Sequence, residues 1–277
     1  MQLTIKKLNE QTIHFAMDRA QHEGWNPGLS DGKAFLSADP EGFFGVFDGD
    51  EPVGTISAVA YGEHYGFIGL YIVDEEYRKT NAGLILAQAA LGHLGRRNVG
   101  LDGVLQRVDN YARLGYKFAY RNKRFRGKGG GMRPSGLVEA RMVPFDMLAE
   151  FDAGHFPAPR EAFLREWINM PESKTYVKFK DGEILAYGTI RRCHSGYKIG
   201  PLFALTPSAA ERVFQGLVSN IPGSEYYFDC PETNLNAMAM AKENKMELVF
   251  ETARMYSHGE PMLPMGNIYG ITSFELG

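Results

Sequence analysis

The chain has 277 residues, 44% of them hydrophobic and 23% charged, with a formal net charge of -3. That length accommodates two domains or one large one, and the near-neutral charge excludes a global nucleic-acid footprint. No uncharged apolar run reaches the length of a membrane span, and Met1–Glu10 alternates like a strand and lacks an apolar signal stretch. Cys193 and Cys230 are too few for a disulfide scaffold and lack metal-ligand spacing. The expectations are a cytoplasmic protein with no metal and with no nucleic-acid or membrane partner.

In chain order, Gln2–Leu8 reads as a first strand and Glu10–Glu23 as a helix, with Ile13, Ala16, Met17 and Ala20 at helical spacing. Gly24-Trp25-Asn26-Pro27-Gly28 is a turn-rich loop whose tryptophan serves either as a packing plug or as a lid over a cleft. Phe43–Phe47 and Val53–Val59 form a hairpin around Asp48-Gly49-Asp50-Glu51. A short apolar run, Phe67–Val73, precedes the polar stretch Arg78-Lys79-Thr80-Asn81-Ala82-Gly83. A helix follows over Ala82–Leu94, with Leu84, Ile85, Ala87, Leu91 and Leu94 expected on the packed face. Next come a strand at Val99–Gly103, a helix at Leu105–Leu114 ended by Gly115, and a basic strand at Lys117–Phe125. The basic cluster from Arg113 to Arg133 is either a solvated strand edge or an attractor for an anionic ligand. Gly127–Gly136, rich in glycine, reads as a linker.

The chain then repeats itself. The run from Phe47 to Ile56 is echoed by Lys180–Ile190, Gly69-Leu70-Tyr71 by Gly200-Pro201-Leu202, and the helix at Ala82–Leu94 by Ser208–Val218. A strand at Tyr226–Cys230, a helix at Asn234–Glu243 and a strand at Leu248–Tyr256 complete the second copy, whose Arg254-Met255 matches Arg124-Phe125. A repeat of that size is a duplicated domain.

A strand, a tight loop and then a helix leave backbone N–H groups open at the helix start, where the dipole favours an anion. The loop lacks the spacing of a Walker phosphate loop and of a dinucleotide fingerprint. Arg78-x-x-Asn81-x-Gly83 resembles instead the pyrophosphate loop of the GNAT superfamily, the Gcn5-related N-acyltransferases that use acetyl-CoA, with Asn81 replacing a glycine as the residue most tolerant of positive φ. That family's second motif, Asn-x-x-Ala-x-x-Leu-Tyr-x-x-x-Gly-Phe, is split between the halves. Tyr111, Gly115 and Tyr116 match its end, while Val104 and Arg107 stand at its Asn and Ala positions. In the second half Asn234, Ala237 and Met240 match its start, but Ala241 stands where the tyrosine belongs.

The resemblance implies an α/β (α+β) protein of two tandem GNAT-like domains, each a mixed, mostly antiparallel sheet flanked by helices. The domains are expected at residues 1–130, binding acetyl-CoA, and 137–277, lacking the pyrophosphate loop. It implies direct transfer of acetyl from acetyl-CoA to the primary amine of a small molecule or peptide, with a homodimer possible. The donor site is expected at Tyr71, Ile72, Val73, Arg78, Lys79, Thr80, Asn81, Ala82, Gly83 and Leu84. Tyr111 is the expected acid for the departing thiolate, and Glu63 or His64 the expected base. The acceptor is expected between the halves, near Trp25, Asn26, Arg124, Arg254 and Tyr256. Cys193-His194 cannot by itself make a nucleophile–base pair. The rival readings are an acyl-CoA-binding or sensor module without turnover, favoured by Asn81 and Val104, and a purely structural protein.

Overall fold

A computed structural model describes residues 2–277; Met1 lies outside the described residues. The first half runs β1 (Leu3–Lys7), α1 (His14–His22), α2 (Asp31–Ala38), β2 (Phe43–Asp48), β3 (Glu51–Tyr61), β4 (Tyr65–Val73), α3 (Ala82–Leu94), β5 (Asn98–Val104), α4 (Val108–Arg113) and β6 (Lys117–Lys128). The second runs β7 (Leu137–Glu139), α5 (Phe145–Ala153), α6 (Glu161–Trp167), β8 (Ser173–Lys180), β9 (Glu183–Arg192), β10 (Tyr197–Ala204), α7 (Pro207–Val218), β11 (Glu225–Pro231), α8 (Leu235–Glu243), β12 (Glu247–Tyr256) and β13 (Ile268–Gly270). The two Asp-Gly signals both make hairpins. Asp48 pairs with Glu51 around Gly49-Asp50, and Lys180 with Glu183 around Asp181-Gly182, where both central residues have positive φ.

All the strands join one sheet in the order β1-β2-β3-β4-β5-β12-β6-β11-β10-β9-β8-β7, with β13 added on β10. The order exposes an exchange. One long strand of each half lies beside the other half's sheet: β12 on β5, β6 on β11, with β6 and β12 paired to each other. Two buried ion pairs stitch the exchange at equivalent places. Arg254 faces Asp102 across β12–β5, and Arg124 faces Asp229 across β6–β11. The two halves are therefore interlocked through their strand pairing. Gly127 and Lys128 end β6, and the amides of Gly129 and Gly130 donate to the carbonyls of Ser224 (2.8 Å) and Val218 (3.0 Å). The expected linker is thus a strand end followed by a pinned connection.

Helices α2 and α6 were not evident in the sequence pattern, and they pack on one another across the halves. Phe35 stacks on the fully buried Trp167, and Lys33 and Asp31 pair with Glu166 and Arg191. Helix α3 is apolar all round, so periodicity misreads its face. Ala82, Leu86, Ala90 and Leu94 are buried at intervals of four, while Leu84 and Leu91 are exposed.

Candidate active site

The site follows from how β4 parts from β5. The two strands pair in parallel from Tyr65↔Asn98 to Ile68↔Leu101, and the ladder stops there although both strands continue. On its other edge β4 carries a bulge: Thr55 pairs with Ile72 and Ser57 with Gly69, so Ile56 alone opposes Leu70 and Tyr71. Leu70 takes φ 48°, a conformation a branched aliphatic residue rarely adopts and one that is found where function holds the backbone. The parting leaves the β5-facing edge of Gly69–Val73 without a strand partner. A cleft of about 1050 Å³ opens there.

The cleft is lined from β4 by Gly69, Leu70, Tyr71, Ile72 and Val73, and from the α3 entrance by Arg78, Thr80, Gly83 and Leu84. Thr80 Oγ1 accepts from the Ala82 amide at 3.2 Å, and the next amides, of Gly83 and Leu84, have no acceptor within the helix. The Tyr71 hydroxyl donates to the Gly83 carbonyl at 2.9 Å, so Tyr71 ties the bulge to the first turn of α3. Arg78 is anchored, donating to the Val73 carbonyl (2.9 Å) and to Glu23 (2.6 Å). Asn81 has φ -83°, so tolerance of positive φ is not the reason it stands in the loop. Lys79, Asn81 and Ala82 do not line the cleft, and Ala82 is buried beneath the helix start.

On the β5 side the cleft is lined by Val104, Arg107, Asn110 and Tyr111. The Tyr111 ring lies against Gly103, where an added Cβ would meet it at 2.7 Å. Burial pushes the Tyr111 pKa up, which keeps the phenol protonated and able to donate. Arg107, noted in the sequence only as a departure at the motif's Ala position, and Asn110 carry no signal of a site role there, because a residue departing from a motif draws none from it.

Of the expected acceptor residues, Trp25, Asn26 and Arg124 line the cleft; Arg254 and Tyr256 do not. Asn26 is clamped to the second half, its side chain exchanging hydrogen bonds with the carbonyl (2.8 Å) and amide (2.9 Å) of Ser195. Arg124 commits three of its five N–H groups to protein partners. Nε and Nη2 go to Asp229 (2.7 and 2.8 Å) and Nη1 to the Trp25 carbonyl (3.1 Å), so it orders the cleft wall and holds no charge in reserve. Arg254 is committed to Asp102 at 3.0 and 2.7 Å, and Tyr256 is buried in the core. Both belong to the strand exchange, which sequence alone does not reveal.

Glu63 and His64 are a further correction. They sit on the exposed turn before β4 and do not line the cleft. At about 3.3 Å per strand residue, His64 is roughly 20 Å along the strand from Leu70. Cys193 is buried, and burial pushes its thiol up to about 11, which leaves it unreactive. Among the described residues no His, Cys, Asp and Glu group has the arrangement of a metal site.

The remaining wall comes from the second half: Tyr227, Val249, Phe250, Thr252, Phe274 and Glu275. Phe274 and Glu275 belong to the segment 271–277, which crosses from one half to the other. At Gly200 an added Cβ would lie 2.4 Å from the Ile271 carbonyl oxygen; at the equivalent Gly69 it would lie 2.1 Å from that of Glu275. The Tyr61 hydroxyl donates to the Leu276 carbonyl at 3.1 Å, and Gly277 packs near Phe67 and Phe156.

The second half has the same parting and fills it. Strands β10 and β11 pair in parallel only from Tyr197↔Tyr226 to Ile199↔Phe228, and β13 then lies on β10 through Leu202↔Gly270 and Phe203↔Ile268. Asn234, at the motif's Asn position, holds this insert by donating to the carbonyls of Gly266 (3.0 Å) and Ile268 (2.9 Å). Helix α7 is closed at its start by the Thr206 hydroxyl, which accepts from the Ala209 amide at 3.3 Å.

Comparison with known proteins agrees with this geometry. Residues 8–116 match the family model described as "Acetyltransferase (GNAT) family", and residues 148–270 match one described as "Acetyltransferase (GNAT) domain". A holothin acyltransferase of Pseudoalteromonas sp. (strain SANK 73390) is 31% identical over 258 residues, 92% of this chain and 88% of the relative. An uncharacterized N-acetyltransferase of Bacillus subtilis (strain 168), YitH, is 21% identical over 98% of this chain and 97% of its own. Among solved structures, a putative acetyltransferase from Pyrococcus horikoshii superposes with a TM-score of 0.85 at 23% identity, over 99% of this chain and 96% of its own. A tandem GNAT protein from the clavulanic acid biosynthesis pathway superposes with a TM-score of 0.62 at 12% identity, over 94% of this chain and 100% of its own; at these identities the likeness is one of fold. With both halves matched and a relative aligned over nearly its whole length, the chain belongs to the GNAT family as a tandem member and is an acyltransferase.

Proposed function

We propose that the protein moves an acetyl group from acetyl-CoA onto the primary amine of a small, largely apolar acceptor, and that this chemistry occurs only in the first half. The observation that carries the reading is the open parting of β4 and β5, which ends at a helix start with free amides. The amides of Gly83 and Leu84 and the side chain of Arg107 suit a pyrophosphate. A thioester placed in the parting exposes its carbonyl oxygen to backbone N–H groups at the bulge, where negative charge develops as the amine attacks. Tyr111 supplies a proton to the departing thiolate.

The acceptor class is drawn from the opposite wall. Trp25, Tyr227, Val249, Phe250 and Phe274 present aromatic and aliphatic surface, and Arg124 within that wall is already neutralised. An acidic acceptor finds no spare cation beside Arg124, whereas a flat apolar amine finds stacking surface. The relative named a holothin acyltransferase supports transfer to a small molecule. The test is thiol release from acetyl-CoA by the purified full chain over a panel of amines. Aryl and alkyl amines are expected to outperform amino acids and peptides. Turnover confined to peptides would contradict the acceptor class, and no turnover with any amine would contradict the activity.

A further inference from the structure

Glu275 is only 1% exposed, yet it lines the cleft, and neither carboxylate oxygen has a hydrogen-bond partner among the described residues. The nearest cation, Lys198 Nζ, stands 4.0 Å away and donates instead to the Trp25 carbonyl at 3.0 Å. Burial first, and then Arg124, hold the Lys198 pKa below the ordinary lysine range. Arg124 and Arg191, the other cations nearby, already hold Asp229 and Asp31. A carboxylate kept dry with its lone pairs vacant is costly, and native structures retain one where a ligand or a proton is to be received. Its backbone packs directly on Gly69, at the edge of the bulge. The Glu275 backbone therefore borders the parting on the β4 side, and Tyr111 lines it on the β5 side.

Resting on the reading of acyl transfer to an amine, we propose that Glu275, delivered by the second half, is the general base of the first half's active site. The amine nitrogen forms the C–N bond with its lone pair, and the C–S electron pair leaves on sulfur. The proton shed by nitrogen goes to the Glu275 carboxylate, while sulfur takes one from Tyr111; exchange with solvent restores both groups. The products are the amide and free CoA thiol. On this account the two halves are interdependent in chemistry: one holds the thioester and the other supplies the base.

The experiment compares the full chain with Glu275→Gln, which keeps the shape of the side chain. Thiol release from acetyl-CoA is followed with benzylamine and with methoxyamine, the latter largely unprotonated near neutrality. The variant is expected to keep its melting temperature and acetyl-CoA affinity and to lose on the order of 10²–10⁴-fold in turnover. For the unaltered protein, kcat/KM referred to the unprotonated fraction of methoxyamine is expected to fall on the acid side; that limb is expected to be absent in the variant. Lys198 on β10, Arg124 on β6, Asp229 on β11, Arg191 on β9 and Asp31 on α2 are the charged groups packed around Glu275, with the Cys193 thiol beyond them. Arg124 and its neighbours hold Asp229 ionised against the opposing effect of burial, so it does not supply that limb. Full-rate turnover by Glu275→Gln would overturn the base assignment and leave the acyl-transfer reading standing. Should the variant fail to fold, a flat acid side in the unaltered protein would overturn the assignment equally. No thiol release from the unaltered protein with any amine would overturn both readings.

Discussion

The two halves share one architecture and treat its central opening in opposite ways. In the first half, β4 and β5 part over an open cleft, and at the start of α3 the Asn81 side chain makes no cap, Thr80 covering only the Ala82 amide. In the second, β10 and β11 part over β13, and Thr206 caps α7. The family's asparagine survives where there is no cleft, and there it anchors the insert through Gly266 and Ile268. Its tyrosine survives where the cleft is open. The duplicated architecture thus has one open cleft and one filled by an insert, and each retained motif residue lies in the half where it has a structural partner or a cleft to line.

The strand exchange places an equivalent buried ion pair in each half, and breaking either stitch is the largest expected effect. Asp102→Asn and Asp229→Asn each leave a buried arginine facing a neutral amide. Each is expected to cost about 3–5 kcal/mol in denaturant titration. Near-equal losses support the symmetric exchange; a loss confined to one variant contradicts it. The Asp229 pair also carries a pH signature. Burial raises the carboxyl pKa, but Arg124 and neighbouring cations outweigh it and hold the folded value below the unfolded one. Its contribution is therefore present above the ordinary carboxylate range and is lost as pH falls through the lower folded value. Asp229→Asn is expected to flatten that part of the stability profile.

Tyr111→Phe sharpens the comparison on the chemical side. Turnover is expected to drop by on the order of 10²–10⁴-fold with acetyl-CoA affinity unchanged, read by steady-state kinetics beside calorimetry. Unchanged turnover would remove Tyr111 as the acid. In the second half, Asn234→Ala is expected to free the carbonyls of Gly266 and Ile268 and to cost roughly 1–3 kcal/mol, with a smaller effect on turnover than on stability. Thr206→Ala is the smallest change, about 1 kcal/mol from the lost cap, with acetyl-CoA affinity untouched. A fall in that affinity would place a donor site in the wrong half.

What the sequence made legible follows physical range. The Asp48-Gly49 hairpin and the helix after Arg78–Gly83 depend on neighbours in the chain and are legible there, and Tyr71, Gly83 and Tyr111 all line the cleft. Long-range pairings did not show. Arg124 and Arg254 looked like substrate-binding cations, and only the exchanged register reveals Asp229 and Asp102 opposite them. Glu63 and His64 were judged by closeness to the central strand, but they adjoin its far end. Glu275 stands in a short mixed segment, Ile271–Gly277, and its placement depends on a crossing from Gly200 to Gly69 that no local pattern encodes. Exchange also changes what truncation means. A fragment ending near Arg126 lacks β12 and leaves the β5 edge bare, so its failure would report folding and not chemistry.

The most direct test of one open and one filled site is acetyl-CoA titration by calorimetry, combined with hydrogen exchange on the full chain. The account predicts one equivalent bound per chain, with new protection at Gly69–Val73 and at the start of α3 and none at Gly200–Ser208. Two equivalents per chain, or protection centred on β10 and the start of α7, would contradict it.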